Sequence, residues 1–458
     1  MDESWTVLRD LAQKALKALE KPVEGEAFFT ATQTTEVAIR NSEILTQNRL
    51  NDAGVGFRVF KDGKTGFACT NALNENAVVK TAERALAIAR VSSQVPDYAL
   101  PLPGKLSQKT FYDPRVACMP VSDVVNMAKR VITAAEDTDP RVVAKSGRVI
   151  LQTERRGIIN TQGLNCEEQG TKAAILLGGV GNFNGEVTGV CSDSVFSRTA
   201  DVSPEAVGES VGEKVVHMFN PHPVKTFKGT VIFGPKAVSY QLTDVLIDAL
   251  KGESVMAKRS FWTEKIGQKV ASLVTVRDNG ILENGFSSRR FDDEGFPSQD
   301  TLVLQNGVLK SYLHCALTAN ALHQENTGNA SRSPGGFDLT RNIIGSGYRT
   351  QPEVYPSNLV IDPGSRTREE LIAEVEKGVL IESMDGFAQQ GSGLVSARLS
   401  QAFFIKNGEI KYPLKSGMVS GIAFDWFNRI SGVGDDAKKF EYAVVPSLRV
   451  EDVTIVGE

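Results

Sequence analysis

From the first residues, apolar positions recur at helical spacing. Trp5, Leu8, Leu11, Ala12, Ala15 and Leu16 share one face of a helix predicted over 3–20. The period then drops to two. Alternating, β-branched stretches at 26–34, 35–40, 42–50 and 54–60 predict strands. A turn at 61–64 and a strand at 65–70 follow. Helical spacing returns at 74–91, with Ala77, Val78, Ala82, Ala85, Leu86 and Ile88 inward. A crossing loop over 92–120 carries Pro96, Pro101, Pro103 and Pro114. The order then repeats. A helix opens at Pro120 and runs to about Ala135, with strands at 142–155, 157–161, 164–170 and 171–179. A closing helix starts at Ser203-Pro204-Glu205, where Ser suits the cap and Pro the first turn, and ends near Phe219. The first half reads as one unit used twice, repeated in element order and not in residue identity.

Asn220-Pro221-His222-Pro223 interrupts this pattern and sets the expected boundary: one domain at 1–222, another at 223–458. Beyond it come a strand at 229–233 and a helix at 235–251. Strands are predicted at 269–278, 301–305, 308–313, 358–362, 378–383, 396–406 and 409–412, with helices at 367–377 and 422–429. The expected class is α+β. The N-terminal α/β domain holds duplicated helix–antiparallel-strand units, and the C-terminal domain is mainly antiparallel β, barrel- or sandwich-like.

Length supports the division, since 458 residues exceed what one core organises. A net charge of −4 gives no footprint for nucleic acid or an anionic membrane. No apolar run reaches the roughly 20 residues of a membrane span. The first residues carry acids where a signal peptide has bases, so a cytoplasmic protein is expected. Five scattered cysteines without a CxxC pair fit a reducing compartment and argue against a disulfide framework.

The usual chemical constellations are absent. Of four histidines, none pair at i, i+4 on a helix to aim two imidazoles at one metal. Gly208-Glu209-Ser210-Val211-Gly212 has the spelling of a nucleophile elbow but falls inside the helix begun by Pro204, so Ser210 reads as an ordinary helical residue. The acids of 289–295 read as a structural turn that Arg289 and Arg290 neutralise.

Several segments, in order, resemble the TldD/PmbA family of peptidases. They are Val276-Arg277-Asp278-Asn279-Gly280, Phe291-Asp292-Asp293-Glu294-Gly295, Gly307-Val308-Leu309-Lys310-Ser311-Tyr312-Leu313 and Thr318-Ala319-Asn320-Ala321-Leu322. Thr327-Gly328-Asn329-Ala330-Ser331-Arg332, the run from Ala402 to Ile410, and Pro446-Ser447-Leu448-Arg449-Val450 complete the series. The resemblance implies two kinds of subunit. The TldD type looks like a zinc peptidase, with His-Glu-x-x-x-His on the first helix of the second domain and a cysteine near the C-terminus. Two imidazoles and a thiolate hold the metal, and the glutamate activates water. Matching the end of the helix here places Thr243, Asp244 and Asp248 at the His, Glu and His positions. The helix has no histidine, and no cysteine follows Cys315.

The resemblance therefore implies a PmbA (TldE)-type subunit, without catalytic residues, metal or cofactor of its own. It would form a homo- or heterodimer, with a TldD-like zinc peptidase as partner and peptides or unfolded proteins as substrates. An extended peptide would add to its edge strands. Thr327, Asn329 and Arg332, with the Gly-rich strand ends around Gly328, Gly335-Gly336 and Gly391–Gly393, are the candidate contacts for peptide or partner. A second reading is a self-standing hydrolase. Asp244 and Asp248, four apart on one helical face, would join Asp292 or Asp293 to bind Mg²⁺ or Mn²⁺. A third is a binding module that acts alone.

Overall fold

The structure is a computed structural model that describes residues 2–19, 23–95, 98–332, 337–338, 343–344 and 347–457. The pair Gly335-Gly336 lies outside the described residues.

The N-terminal half is built on four long antiparallel strands, Glu24–Arg40, Glu43–Lys61, Val142–Asn160 and Asn165–Phe183. Each has 17 to 19 residues, on the order of 60 Å of extended chain. Sequence pattern divided every one of them in two. The supposed breaks at Gly54 and Gly157 are places where an aromatic ring lies on the sheet. A Cβ on Gly54 would meet the Tyr348 ring at 2.3 Å, and one on Gly157 the Phe29 ring at 2.5 Å. Glycine here marks close packing inside a continuous strand.

The duplication is real. Each unit runs from helix through antiparallel strands to helix: Asp2–Lys17 to Glu75–Val91 with three strands, then Val121–Thr138 to Pro204–His217 with four, one of them the two-residue Glu186–Val187. Their first strands pair antiparallel, Glu26 opposite Asn160 through to Arg40 opposite Ser146, joining the units into one sheet. Ser203 caps its helix as expected, accepting from the backbone N–H of Ala206, and Asn74, read as the first helical residue, proves to be the cap of the other, accepting from Ala77.

Alternation decides what each face of this sheet meets. Ala27, Phe29, Phe57 and Ile159 pack under the first two helices; Val37, Ile39, Val149 and Ile175 pack under the second two. The neighbouring positions Glu26, Phe28, Arg58, Arg156 and Ile158 point the other way, where Phe291, Glu294 and Arg332 of the C-terminal half lie against them.

In that half, strands Lys377–Ala388, Phe227–Phe233, Leu448–Val456, Met418–Ile422 and Leu394–Lys406 pair in a ring and close a five-stranded barrel. A second, six-stranded sheet includes Asp300–Gln305, Val276–Asn279 and Leu359–Ile361. The strand expected at 269–278 is cut to Val276–Asn279 because Leu273 takes a φ of +62°. The pattern missed Leu448–Val456 in the middle of the barrel. A bulge between Val450 and Val453, with Asp452 at φ +57°, breaks its alternation.

Candidate functional site

The helix after the first barrel strand begins at Pro235–Ala237, passes through a π-helical turn at Val238–Leu242 and continues as Thr243–Leu250. The Thr243 N–H reaches back five residues to the Val238 carbonyl. This turn sets the phase of the three positions that matter. Thr243 is fully buried, and its hydroxyl donates to the Ser239 carbonyl one turn back. Asp244 reaches the surface and accepts the Tyr442 hydroxyl at 3.1 Å. The protein crowded around it raises its pKa, against the Tyr442 bond, which lowers it. Asp248, half-buried, accepts from the Ser254 hydroxyl at 3.1 Å and from the Gly391 N–H at 2.8 Å.

These donors do not fit zinc. One hydroxyl is turned into its own helix, and two carboxylates are held by neutral donors on different neighbours. Nor do the acids of 292–293 join them. Among the described residues, no three His, Cys, Asp or Glu side chains gather as a metal-holding group. His314 is buried beside Thr318, 3.2 Å from its hydroxyl, and burial lowers its pKa to about 4.

Gly391 and Gly393 form the turn between barrel strands Lys377–Ala388 and Leu394–Lys406. Both have positive φ, +77° and +69°, and a Cβ on Gly393 would strike the Phe424 ring at 2.5 Å. The sequence offered Asp248 and Gly391 for separate roles. The structure joins them in one hydrogen bond.

Thr327, Asn329 and Arg332 differ from expectation. They were candidates for contact with a peptide or partner, yet all three are buried, Arg332 at 1% exposure. The Thr327 hydroxyl accepts the His314 N–H at 2.6 Å and lies 2.7 Å from the Asn329 side-chain oxygen. Asn329 donates to Asp278 at 2.6 Å and to the Tyr355 carbonyl at 3.2 Å. Arg332 donates through Nη2 to Glu26, through Nη1 to the Thr350 carbonyl at 2.8 Å and through Nε to the Asp293 carbonyl at 3.2 Å. Their polar groups bond inside the molecule: Thr327 and Asn329 within the C-terminal half, and Arg332 across the join to Glu26.

That join is an ionic cluster. Arg58 bridges Glu26 at 2.9 Å and Glu294 at 2.6 Å; Arg156 pairs with Glu168 and Asp293; Arg289 adds a contact to Asp293 at 3.3 Å. The acidic run is a tight turn, as expected. The Asp292 carboxylate accepts the N–H groups of Glu294 and Phe296 at 2.9 Å, and Gly295 has φ +85°. Its neutralising arginines are another matter. Arg290 turns to the Ser107 carbonyl, and Arg58, Arg156 and Arg332 come from afar. No local sequence signal marks them. Burial raises Glu26 against Arg58 and Arg332, raises Asp292 together with Glu294, and brings Asp278 to about 6. Burial works on Asp293 too, but Arg289 and Arg156 outweigh it and leave its pKa lowered.

Beside the cluster is a cavity of about 110 Å³ between the sheet and the C-terminal half, lined by charged side chains from both and by Tyr355 and Tyr442. Those rings meet edge to face at 5.5 Å, and Tyr442 holds Asp244.

The comparisons follow this geometry. Models of the PmbA/TldA metallopeptidase family match three successive stretches: domain 1 at residues 25–89, the central domain at 114–219 and the C-terminal domain at 226–457. The first two coincide with the duplicated units. A metalloprotease of Methanothermobacter thermautotrophicus is 26% identical, covering 93% of this chain and 91% of its own. Metalloprotease PmbA of Escherichia coli O157:H7 is 24% identical over 99% of this chain and 96% of its own. The crystal structure of TldE from Thermococcus kodakarensis superposes with a TM-score of 0.88 at 24% identity, over 98% of this chain and all of that one, a likeness of fold. With its C-terminal half and both N-terminal units matched, the chain belongs to the PmbA/TldD metallopeptidase family.

Proposed function

We propose that this chain is a non-catalytic, PmbA/TldE-type subunit that pairs with a TldD-like zinc peptidase and helps it to handle peptides or unfolded proteins in the cytoplasm. One observation carries the reading. The helix positions at which zinc-binding relatives need two imidazoles and a glutamate hold Thr243, Asp244 and Asp248, each already bonded to a neighbour. The fold likeness to TldE agrees with it. Relatives named PmbA and relatives named TldD both match over most of the chain, so the helix residues carry the choice between them. The same reading divides the chain after His222, just before the third family segment begins.

The test is co-expression with a TldD-type subunit from the same source. A stable heteromeric complex is expected, with peptidase activity that is lost when the partner's His-Glu-x-x-x-His is mutated. Activity with a bound divalent metal in the isolated chain would instead establish the self-standing hydrolase. Failure to associate with any TldD-type subunit would leave the stand-alone binding module.

A further inference from the structure

The cavity between the halves holds one buried cation, Arg198, that meets no carboxylate directly among the described residues. Its cations are Arg156, Lys172, Arg198 and Arg289, and its anions Glu154, Glu168, Asp293 and Glu441. Arg156 and Arg289 meet carboxylates directly, in Glu168 and Asp293. Arg198 does not. It is 7% exposed, and its guanidinium donates only to backbone carbonyls, Nη1 to Thr171 at 3.3 Å and Nη2 to Ser288. Its Nε is buried without a partner among the described residues. A buried cation served by neutral acceptors is costly. The strain appears in its protonation. Burial lowers Arg198 to about 10 in spite of Glu154 and Glu168, and burial with the charge of Arg198 lowers Lys172 to about 8. Glu154 lines the same wall and accepts no hydrogen bond among the described residues.

We propose that this cavity binds a small zwitterion, a free amino acid or an uncapped dipeptide, with its carboxylate on Arg198 and its ammonium toward Glu154. A simple anion would face Glu154, Glu168 and Glu441; a simple cation would face Arg198 and Lys172. A ligand bearing both charges matches both sets. Size agrees, because 110 Å³ holds several waters at roughly 10–15 Å³ each, and no long peptide. Phe28 and Phe111 in the lining offer apolar cover to a small side chain. The inference rests on the cavity alone. A chain that binds zwitterions but no peptidase, or the reverse, separates it from the proposed partnership.

The test is calorimetric titration of the full chain, with thermal unfolding in parallel, using alanine, alanyl-alanine, N-acetylalanine, alaninamide and inorganic phosphate. Alanine or alanyl-alanine is expected to bind saturably and raise the Tm, and the singly charged analogues to bind at least about tenfold more weakly. Arg198→Met is expected to abolish binding, and Glu154→Gln to bring alanyl-alanine down to the affinity of the acetylated analogue. Should Arg198→Met fail to fold, Arg198→Lys, expected to bind about tenfold more weakly, and Glu154→Gln carry the test. Equal binding of capped and uncapped ligands, tighter binding of phosphate, unchanged affinity in the variants, or no saturation at millimolar ligand would overturn the proposal.

Discussion

Two polar regions of this molecule are held in opposite ways. At the join between the halves, Glu26, Arg58, Arg156, Asp293, Glu294 and Arg332 are nearly or wholly buried, and their charges meet opposite charges. At the helix, Asp244 and Asp248 keep contact with solvent and meet only a phenol, a hydroxyl and a backbone N–H. Two of the family-like segments, 291–295 and 327–332, supply Asp293, Glu294 and Arg332 to the first region, where they tie the two halves together. Asp244 and Asp248 are the more lightly held. Removing one partner from a buried ion pair strands the other, whereas an exposed carboxylate is rehydrated when it loses a neighbour.

The sharpest way to break this comparison is Arg332→Leu. The change takes one of two arginines from the buried Glu26, leaving it Arg58 alone, and removes this donor from the Asp293 and Thr350 carbonyls. A loss of about 3–5 kcal/mol is expected, read as a fall in the urea midpoint. A loss under about 1 kcal/mol would mean the join is not where stability resides.

Gly54→Val tests the long strands. A side chain there runs into the Tyr348 ring and the Thr70 carbonyl, at 2.3 and 2.7 Å from the Cβ. Overpacking against backbone is expected to cost about 1–3 kcal/mol, seen as a lower Tm. An unchanged Tm would show that the ring moves aside freely.

How much of this was legible beforehand follows from the range of each interaction. Helix starts at Asn74 and Ser203 were readable because a cap acts over three residues. The duplicated order and the mixed α+β class were readable from periodicity. Strand length was not, since glycine under an aromatic ring is written like glycine at a break, and the ring is supplied by residue 348. The partners of Thr327, Asn329 and Arg332 were not legible for the same reason. Arg332 meets a carboxylate 306 positions earlier, and sequence offers nothing to pair them. The residue types at 243, 244 and 248 are read directly from the sequence, whereas their partners, Tyr442 on Asp244 and Gly391 on Asp248, are not.

A pH series sharpens the contrast further. Asp278 is buried and accepts from Asn329 and from the Ser357 N–H at 2.6 and 2.8 Å, yet burial wins and its pKa is about 6. An unfolded aspartate titrates near 3.9. Between those values the folded chain keeps a proton that the unfolded chain has lost, so this contribution to stability is full below pH about 4 and declines as pH rises through about 6. Asp278→Asn should cost about 1–3 kcal/mol, because its amide hydrogens face donors. The wild type's advantage over this variant should shrink as pH is raised from 4 to 7 in urea unfolding. A gap that widens would assign Asp278 a lowered pKa.

The smallest effect is expected at the helix. In Asp244→Asn the side-chain oxygen still accepts the Tyr442 hydroxyl, the group reaches solvent, and no cation is left stranded. Stability should stay within about 0.5 kcal/mol of wild type. The burial that raises its pKa works in the same direction, since an amide has no charge to desolvate. Assembly with a TldD-type subunit should likewise be unchanged if Asp244 is a relic of the zinc-binding pattern. A variant that folds normally yet stops the assembled peptidase would give the helix a task in the complex that its loose bonding conceals, and the division between a join that must be kept and a face that has been released would no longer hold.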